Sequence, residues 1–168
     1  MSEIGHTPEA RSTNFIMTIG NRKGLRLACQ TTNLTEATLN FTPFGARMKD
    51  LKIPSDKVLF GPLTIDFVIS EDYNEWIELF KWMMTCKNSP PDRYEDYVEA
   101  CELTMLDSQN QPIVSFIYQD AWPTSLEGTT YAVNDTGSNV ITSSCTFEYN
   151  KFKIKLKDGT EIDESYID

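Results

Sequence analysis

The chain has 168 residues, 40% of them hydrophobic and 24% charged, with a net charge of −10. This is the length of one domain with an ordinary core fraction, and no apolar run is long enough to span a membrane. The acidic balance argues against a sequence-specific DNA binder, which needs a basic patch to neutralise phosphates.

Residues 1–13 carry no periodicity and read as a flexible N-terminal arm that holds the single histidine, His6. The stretch lacks the apolar centre of a signal peptide, so assembly in a cytoplasm is expected. Residues 14–19, NFIMTI, read as a first strand closed by the turn GNRKG. Residues 25–32, LRLACQTT, are expected to pair back on it as a hairpin, with Leu25, Leu27 and Cys29 on one side. The following segment, 33–40, is looser, with Leu34 and Leu39 as its anchors.

Residues 41–60, FTPFGARMKDLKIPSDKVLF, read as a connection, rich in Pro, Gly and charge, and long for a compact domain. Ordered loops of this length are usually functional. Arg47, Lys49, Lys52 and Lys57 form a basic cluster on an acidic protein. One reading is a solvated loop with ordinary lysines. The other is an arm that docks on an acidic neighbouring subunit, which accounts for the segregation of opposite charges.

The stretch at 59–84 passes from one period to another. Leu63, Ile65, Phe67 and Ile69 alternate with polar residues, as in a strand with one buried face. Ser70, Asp72 and Asn74 can accept bonds from free backbone N–H groups at a helix start. Trp76, Leu79, Phe80 and Met83 then recur at helical spacing, predicting one amphipathic helix over about 72–86. Trp76, Phe80 and Met83, with Trp122 farther along the chain, are the expected helix and core anchors, and Trp82 is expected near the core margin. KNSPPD at 87–92 ends the helix, because proline cannot continue its ladder.

Residues 98–106 and 113–118 read as a hairpin around DSQNQP. QDAWPTSLEG at 119–128 reads as a break in which a bulky aromatic, Trp122, precedes proline. A short strand at 129–133, a turn, and a long strand at 139–149 follow. KFKIKLK at 151–157 sets four lysines against Phe152, Ile154 and Leu156, the pattern of an edge or interface strand. The acidic end at 158–168 reads as an extension beyond a single domain at 14–157. The expected fold class is mainly β: a β-sandwich or small barrel of about eight strands with one flanking α-helix.

The sequence contains no Gly-rich phosphate loop, HExxH or GxSxG, and the carboxylate pairs Glu71/Asp72 and Glu95/Asp96 are adjacent and point different ways. Cys29, Cys86, Cys101 and Cys145 lack metal-ligand spacing and read as buried thiols, with cross-subunit disulfides the lesser alternative. No catalytic, cofactor or metal residues are expected. The chemistry points to a structural or binding protein, not an enzyme.

In order along the chain, FIMTI at 15–19, LACQTTNLT at 27–35, the long basic segment leading into strand and helix at 47–72, LFKW at 79–82, DAWPTSL at 120–126 and CTFEYNKFKI at 145–154 resemble the tail tube proteins of contractile-tailed bacteriophages. The resemblance spans roughly 14–154 and departs in the polar leader and the acidic end. It implies homo-hexameric rings stacked into a tube, with neighbouring sheets joined into one inner barrel. The arm at 42–60, with Arg47, Lys49, Lys52 and Lys57, would reach the adjacent subunit or ring. Sheath, baseplate and tail-terminator proteins are the implied partners, in a virion assembled in the host cytoplasm. Genomic DNA would pass an acidic lumen without sequence-specific binding, and this chain would not enter a membrane. The single-domain length favours the repeating tube subunit over a baseplate tube-initiator or a secretion-system ring. Outside that class, a small β-barrel with a ligand cavity is the alternative.

Overall fold

The computed structural model describes residues 15–20, 28–46, 49–129 and 140–163. Ten strands and one main helix follow in the order β1 (Phe15–Ile19), β2 (Ala28–Thr32), β3 (Ala37–Ala46), β4 (Lys49–Phe60), β5 (Leu63–Val68), α1 (Asn74–Asn88), a 3₁₀ turn (Pro91–Asp96), β6 (Glu99–Leu106), β7 (Pro112–Leu126), β8 (Thr142–Glu148), β9 (Lys151–Leu156) and β10 (Glu161–Ile162). All strand pairs are antiparallel. The protein is therefore mainly β with one flanking helix, as its periodicities predict.

Two sheets share β7. Its first part pairs with β6 on one side and β9 on the other, and its last residues pair with β8. One sheet accordingly runs β1-β6-β7-β9-β10 and the other β7-β8-β5-β2, while β3 and β4 form a separate two-stranded hairpin. The expected break at 119–128 is instead a strand changing sheets. Asp120 takes a left-handed φ of 53° and the register slips opposite it, between Glu99 and Cys101. Such a bulge bends the strand and re-aims its side chains. Pro123 then pairs with Phe147 just before the next slip, where a missing N–H is least disruptive.

Among the described residues, β1 and β2 do not pair with each other as the expected hairpin of 14–19 with 25–32 requires. β1 pairs with β6, placing Phe15 opposite Met105, and β2 pairs with β5. Leu25 and Leu27 lie outside the described residues, as does most of the strand expected at 129–133. Leu34 and Leu39, expected as anchors, are both more than half exposed. Part of the acidic end folds back: the Asp158–Gly159 turn, with Gly159 at φ 88°, sets β10 against β9. That backbone conformation suits glycine because it lacks a Cβ.

Leu63, Ile65, Phe67 and Ile69 form a buried row, in step with their alternation in sequence. They meet Cys145 and Phe147 of β8, Cys101 and Leu103 of β6 and Tyr118 of β7 in a single core. Large side chains fill the space between the sheets, where a ligand-binding barrel would hold its cavity. The helix closes this core through Leu79 and Trp82. Trp82 is fully buried, lies 5.7 Å from the Phe147 ring and donates its indole N–H to the Tyr97 carbonyl at 2.6 Å.

The two tryptophans thus exchange the positions expected of them: Trp82 is core and Trp76 is half-buried at the margin. The apolar stripe is wider than its buried centre, and the centre follows 79 and 82 rather than 76, 80 and 83. Phe80 is 43% exposed and stacks on Trp76 with ring centroids 5.5 Å apart. Met83 and Trp122 are half-buried.

The helix start is held by carboxylates. The Ser70 hydroxyl donates to Asp72 and Glu75, while Asp72 accepts from the Asn74 N–H and Glu75 from the Ser70 N–H. Each carboxylate meets a backbone N–H around the helix start, where the dipole also favours negative charge. At the other end Ser89 turns extended before two prolines, and both its N–H and its hydroxyl donate to Thr85 O.

Candidate inter-subunit interface

Residues 41–60 are not a loop. They lie in the β3–β4 hairpin, whose register runs from Ala37–Phe60 to Ala46–Lys49 with an irregularity between Leu39 and Phe41. Pro43 and Pro54 obscure this in the sequence. Each strand of a two-stranded ribbon keeps one free edge, so a proline there need not break a ladder bond.

The hairpin is fastened at its base and free of the core along its length. Tyr149 donates its hydroxyl to the Gly61 carbonyl at 2.7 Å and lies 3.1 Å from Thr35 Oγ1. Gly61 N–H donates to Glu36 O at 2.9 Å, closing the chain as it leaves β4. Asn33 bridges to β5, accepting from the Thr64 N–H at 2.7 Å. Phe60 packs on Phe152 of β9 with ring centroids 5.2 Å apart. Val58 and Leu59 next to it border a depression whose other wall is Phe152, Ile154 and Ile162.

Directly opposed residues share a face of an antiparallel ribbon. Phe44 therefore stands with Leu51, and Thr42 with Ile53, on one face. These apolar residues remain exposed, Phe44 by 58% and Leu51 and Ile53 by 50% each. The opposite face carries Phe41, with the Lys52 ammonium 4.5 Å above its ring centre. Leu39, Val58 and Leu59, nearer the base, are also exposed. A projecting ribbon with apolar side chains along its length presents a surface that another protein surface would cover.

The expected basic cluster is only partly visible. Arg47 lies outside the described residues, and of Lys49 only the backbone is described, at the start of β4. Lys52 is committed to Phe41 at mid-hairpin, whereas Lys57 falls in the irregular step between Pro54 and Val58. Lys52 and Lys57 are both exposed but are not neighbours. In the sequence the cations stand out and the apolar face does not. The alternation of Leu51 and Ile53 was its one signal, too short beside two prolines and Gly45 to read as a strand.

Three of the cysteine thiols are held in the unreactive protonated form. Burial, with Asp66 nearby, pushes Cys29 up to about 11, and burial pushes Cys145 up to about 12. Cys101 is also raised by burial, with Cys145 next to it in the same core. None of the four cysteines forms a disulfide. Among the described residues no group of His, Cys, Asp or Glu is placed to hold a metal ion, and no helix is long and apolar enough to cross a membrane.

No family profile matches the chain. Its sequence is 22% identical to the tail tube terminator protein of Enterobacteria phage T4, over 93% of this chain and 94% of that protein. Its fold is similar to the tube-terminating cap of the anti-feeding prophage, with a TM-score of 0.72, 13% identity, and coverage of 92% of this chain and 95% of that one. It is also similar to the sheath/tube terminator structure of the PVC extracellular contractile injection system, with a TM-score of 0.71, 11% identity, and coverage of 89% and 99%. The chain therefore has the fold found in the tube apparatus of contractile injection systems.

Proposed function

We propose that this protein is a structural component of a contractile phage tail and forms the hexameric ring that terminates its tube. The observation that carries this reading is the end-to-end sequence likeness to a tail tube terminator protein. The two terminator structures, matched over nearly their whole length, support it. The length of the chain suited a repeating tube subunit equally well, but the sequence likeness favours the end of the tube. The role is architectural and not enzymatic, and its place is the virion tail.

Three features supply the means of assembly. The β3–β4 hairpin carries an apolar face that reaches beyond its own core. Among the described residues β1 and β2 end their sheets, offering strand edges to a neighbour. The packed core between the sheets makes each subunit a stiff block. In the ring, the hairpin lies on the adjacent subunit and the sheets of neighbours join around a conduit for DNA. Tube and sheath proteins are the partners above and below.

A polymerisation assay tests this. Added below stoichiometry to growing tubes of the cognate tube subunit, the protein is expected to shorten them and to sit at one end in electron micrographs. Incorporation throughout the tube wall would make it a repeating subunit instead. Tubes of unchanged length with no protein bound would remove it from the assembly altogether.

A further inference from the structure

Strand β9 sets Lys151, Lys153 and Lys155 on the face of its sheet opposite Phe152 and Ile154, and Lys157 follows in the turn. The register carries this face across β7, where Gln119, Ile117 and Ser115 stand beside the three lysines, and on to Glu102 and Thr104 of β6. No element of the described residues covers it: Lys151 and Lys155 are exposed, and so are Ile16 and Thr18 at its far edge. At one end lies a shallow depression of about 400 Å³, where Thr104, Gln111, Ser115, Lys155 and Lys157 stand with Glu102 among apolar residues of β7 and β9. There the Thr104 and Ser115 hydroxyls are 3.0 Å apart.

We propose that this lysine row is a contact surface for the phosphodiester backbone of DNA. Charge complementarity carries the assignment. Alternate residues of a strand lie about 6.8 Å apart on one face, a separation of the order of that between successive phosphates along a nucleic-acid strand. The depression adds hydroxyl and amide donors of the kind that commonly meet phosphate oxygens. Three carboxylates oppose the lysines: Glu161, 3.8 Å from Lys153 across the β9–β10 turn, Glu102 in the depression, and Asp107, which feels the charge of Lys157. They leave the face net cationic on a chain whose total is −10. The rest of the acidic surface weakens attraction from afar, but at about 0.1 M salt charges beyond roughly 10 Å are largely screened. The contact is therefore short-ranged and independent of sequence. It rests on the ring reading, since it turns this sheet face toward the conduit and makes the terminator a place where DNA is held rather than merely passed.

The test uses rings verified by electron microscopy and a mixed-sequence DNA duplex, with binding followed by anisotropy from about 50 to 200 mM salt. Binding is expected, falling steeply with salt. The variant K151Q/K153Q/K155Q should weaken it at least tenfold and flatten the log–log salt slope by about 0.9 for each lost phosphate contact. The double variant K81Q/K87Q, at exposed positions of α1, should leave it unchanged. Intact rings that bind no DNA at 50 mM salt, or bind it equally well in the triple variant, would overturn the proposal while leaving the terminator reading in place. Preference for an acidic peptide of residues 158–168 over DNA would also overturn it, pointing to a neighbouring copy's tail as the occupant. If no rings form, the terminator reading fails, and the monomer on the same duplex still decides whether the row binds phosphate.

Discussion

At the scale of single residues, two side chains set the geometry on which assembly depends. Trp82 fills the space between the helix and Phe147 and satisfies the Tyr97 carbonyl. Trp82→Ala should destabilise the fold by about 3–5 kcal/mol, read from denaturant unfolding, because a cavity and an orphaned carbonyl add. Tyr149 holds the hairpin base without filling much of the core. Tyr149→Phe should cost about 1 kcal/mol and speed hydrogen exchange at the Gly61 amide, while the core amides of β5 stay protected. Equal loosening of both would mean that the hydroxyl does not act locally.

The carboxylates at the helix start give a pH signature. Asp72 lies below its ordinary 3.8, chiefly through its bond from Ser70. Glu75 lies below 4.5 because bonds from Ser70 outweigh its partial desolvation. A lowered folded pKa contributes stability that is present above the unfolded value and is lost as pH falls through the folded one. The helix start should therefore loosen below about pH 4, and Ser70→Ala should raise both titrations in an NMR series. Unchanged titrations would remove the hydroxyl as their cause. The raised thiols predict a different silence: half-buried Cys29 and buried Cys101 and Cys145 should alkylate slowly in the native state at pH 8. Reductant should leave assembly unaltered, whereas loss of rings on reduction would indicate cross-links.

At the scale of elements, the hairpin is where assembly diverges from folding. Phe44, Leu51 and Ile53 are each about half exposed, so covering the remainder is worth roughly 1 kcal/mol apiece. F44S/L51S/I53S should leave the monomer's thermal midpoint within a few degrees of wild type and abolish oligomers in size exclusion. A large loss of monomer stability would mean that the face packs at home. Reversal of Arg47, Lys49 and Lys52 to Glu should block association while the chain stays folded; normal assembly would refute a docking role for the cations. Elements with a single dominant period were legible in the sequence. β5 announced itself by strict alternation of Leu63 to Ile69, and α1 by its stripe and its proline stop. The rest needed partners that are distant in the chain. Nothing local says that β1 chooses β6 over β2, that Asp120 bends one strand across two sheets, or that Trp82 and not Trp76 faces the core. The candidate interface was half legible. Its cations stood out against an acidic chain, but two prolines hid the ribbon that presents the apolar face.

At the scale of the whole molecule, the magnitudes point to a closed assembly. The apolar face of one hairpin offers roughly 3 kcal/mol, less than the 4–15 kcal/mol that association costs in lost freedom. A single hairpin contact should not hold two copies together. Strand edges and closure of a ring must add to it, so assembly should be cooperative, with few dimers between monomer and ring. Mass photometry across a dilution series of the purified protein tests this most directly. Two populations are expected, monomer and hexamer, exchanging at a sharp concentration, with discrete rings that do not elongate by themselves. A protein that stays monomeric at all concentrations, or polymerises alone into tubes of indefinite length, would contradict it.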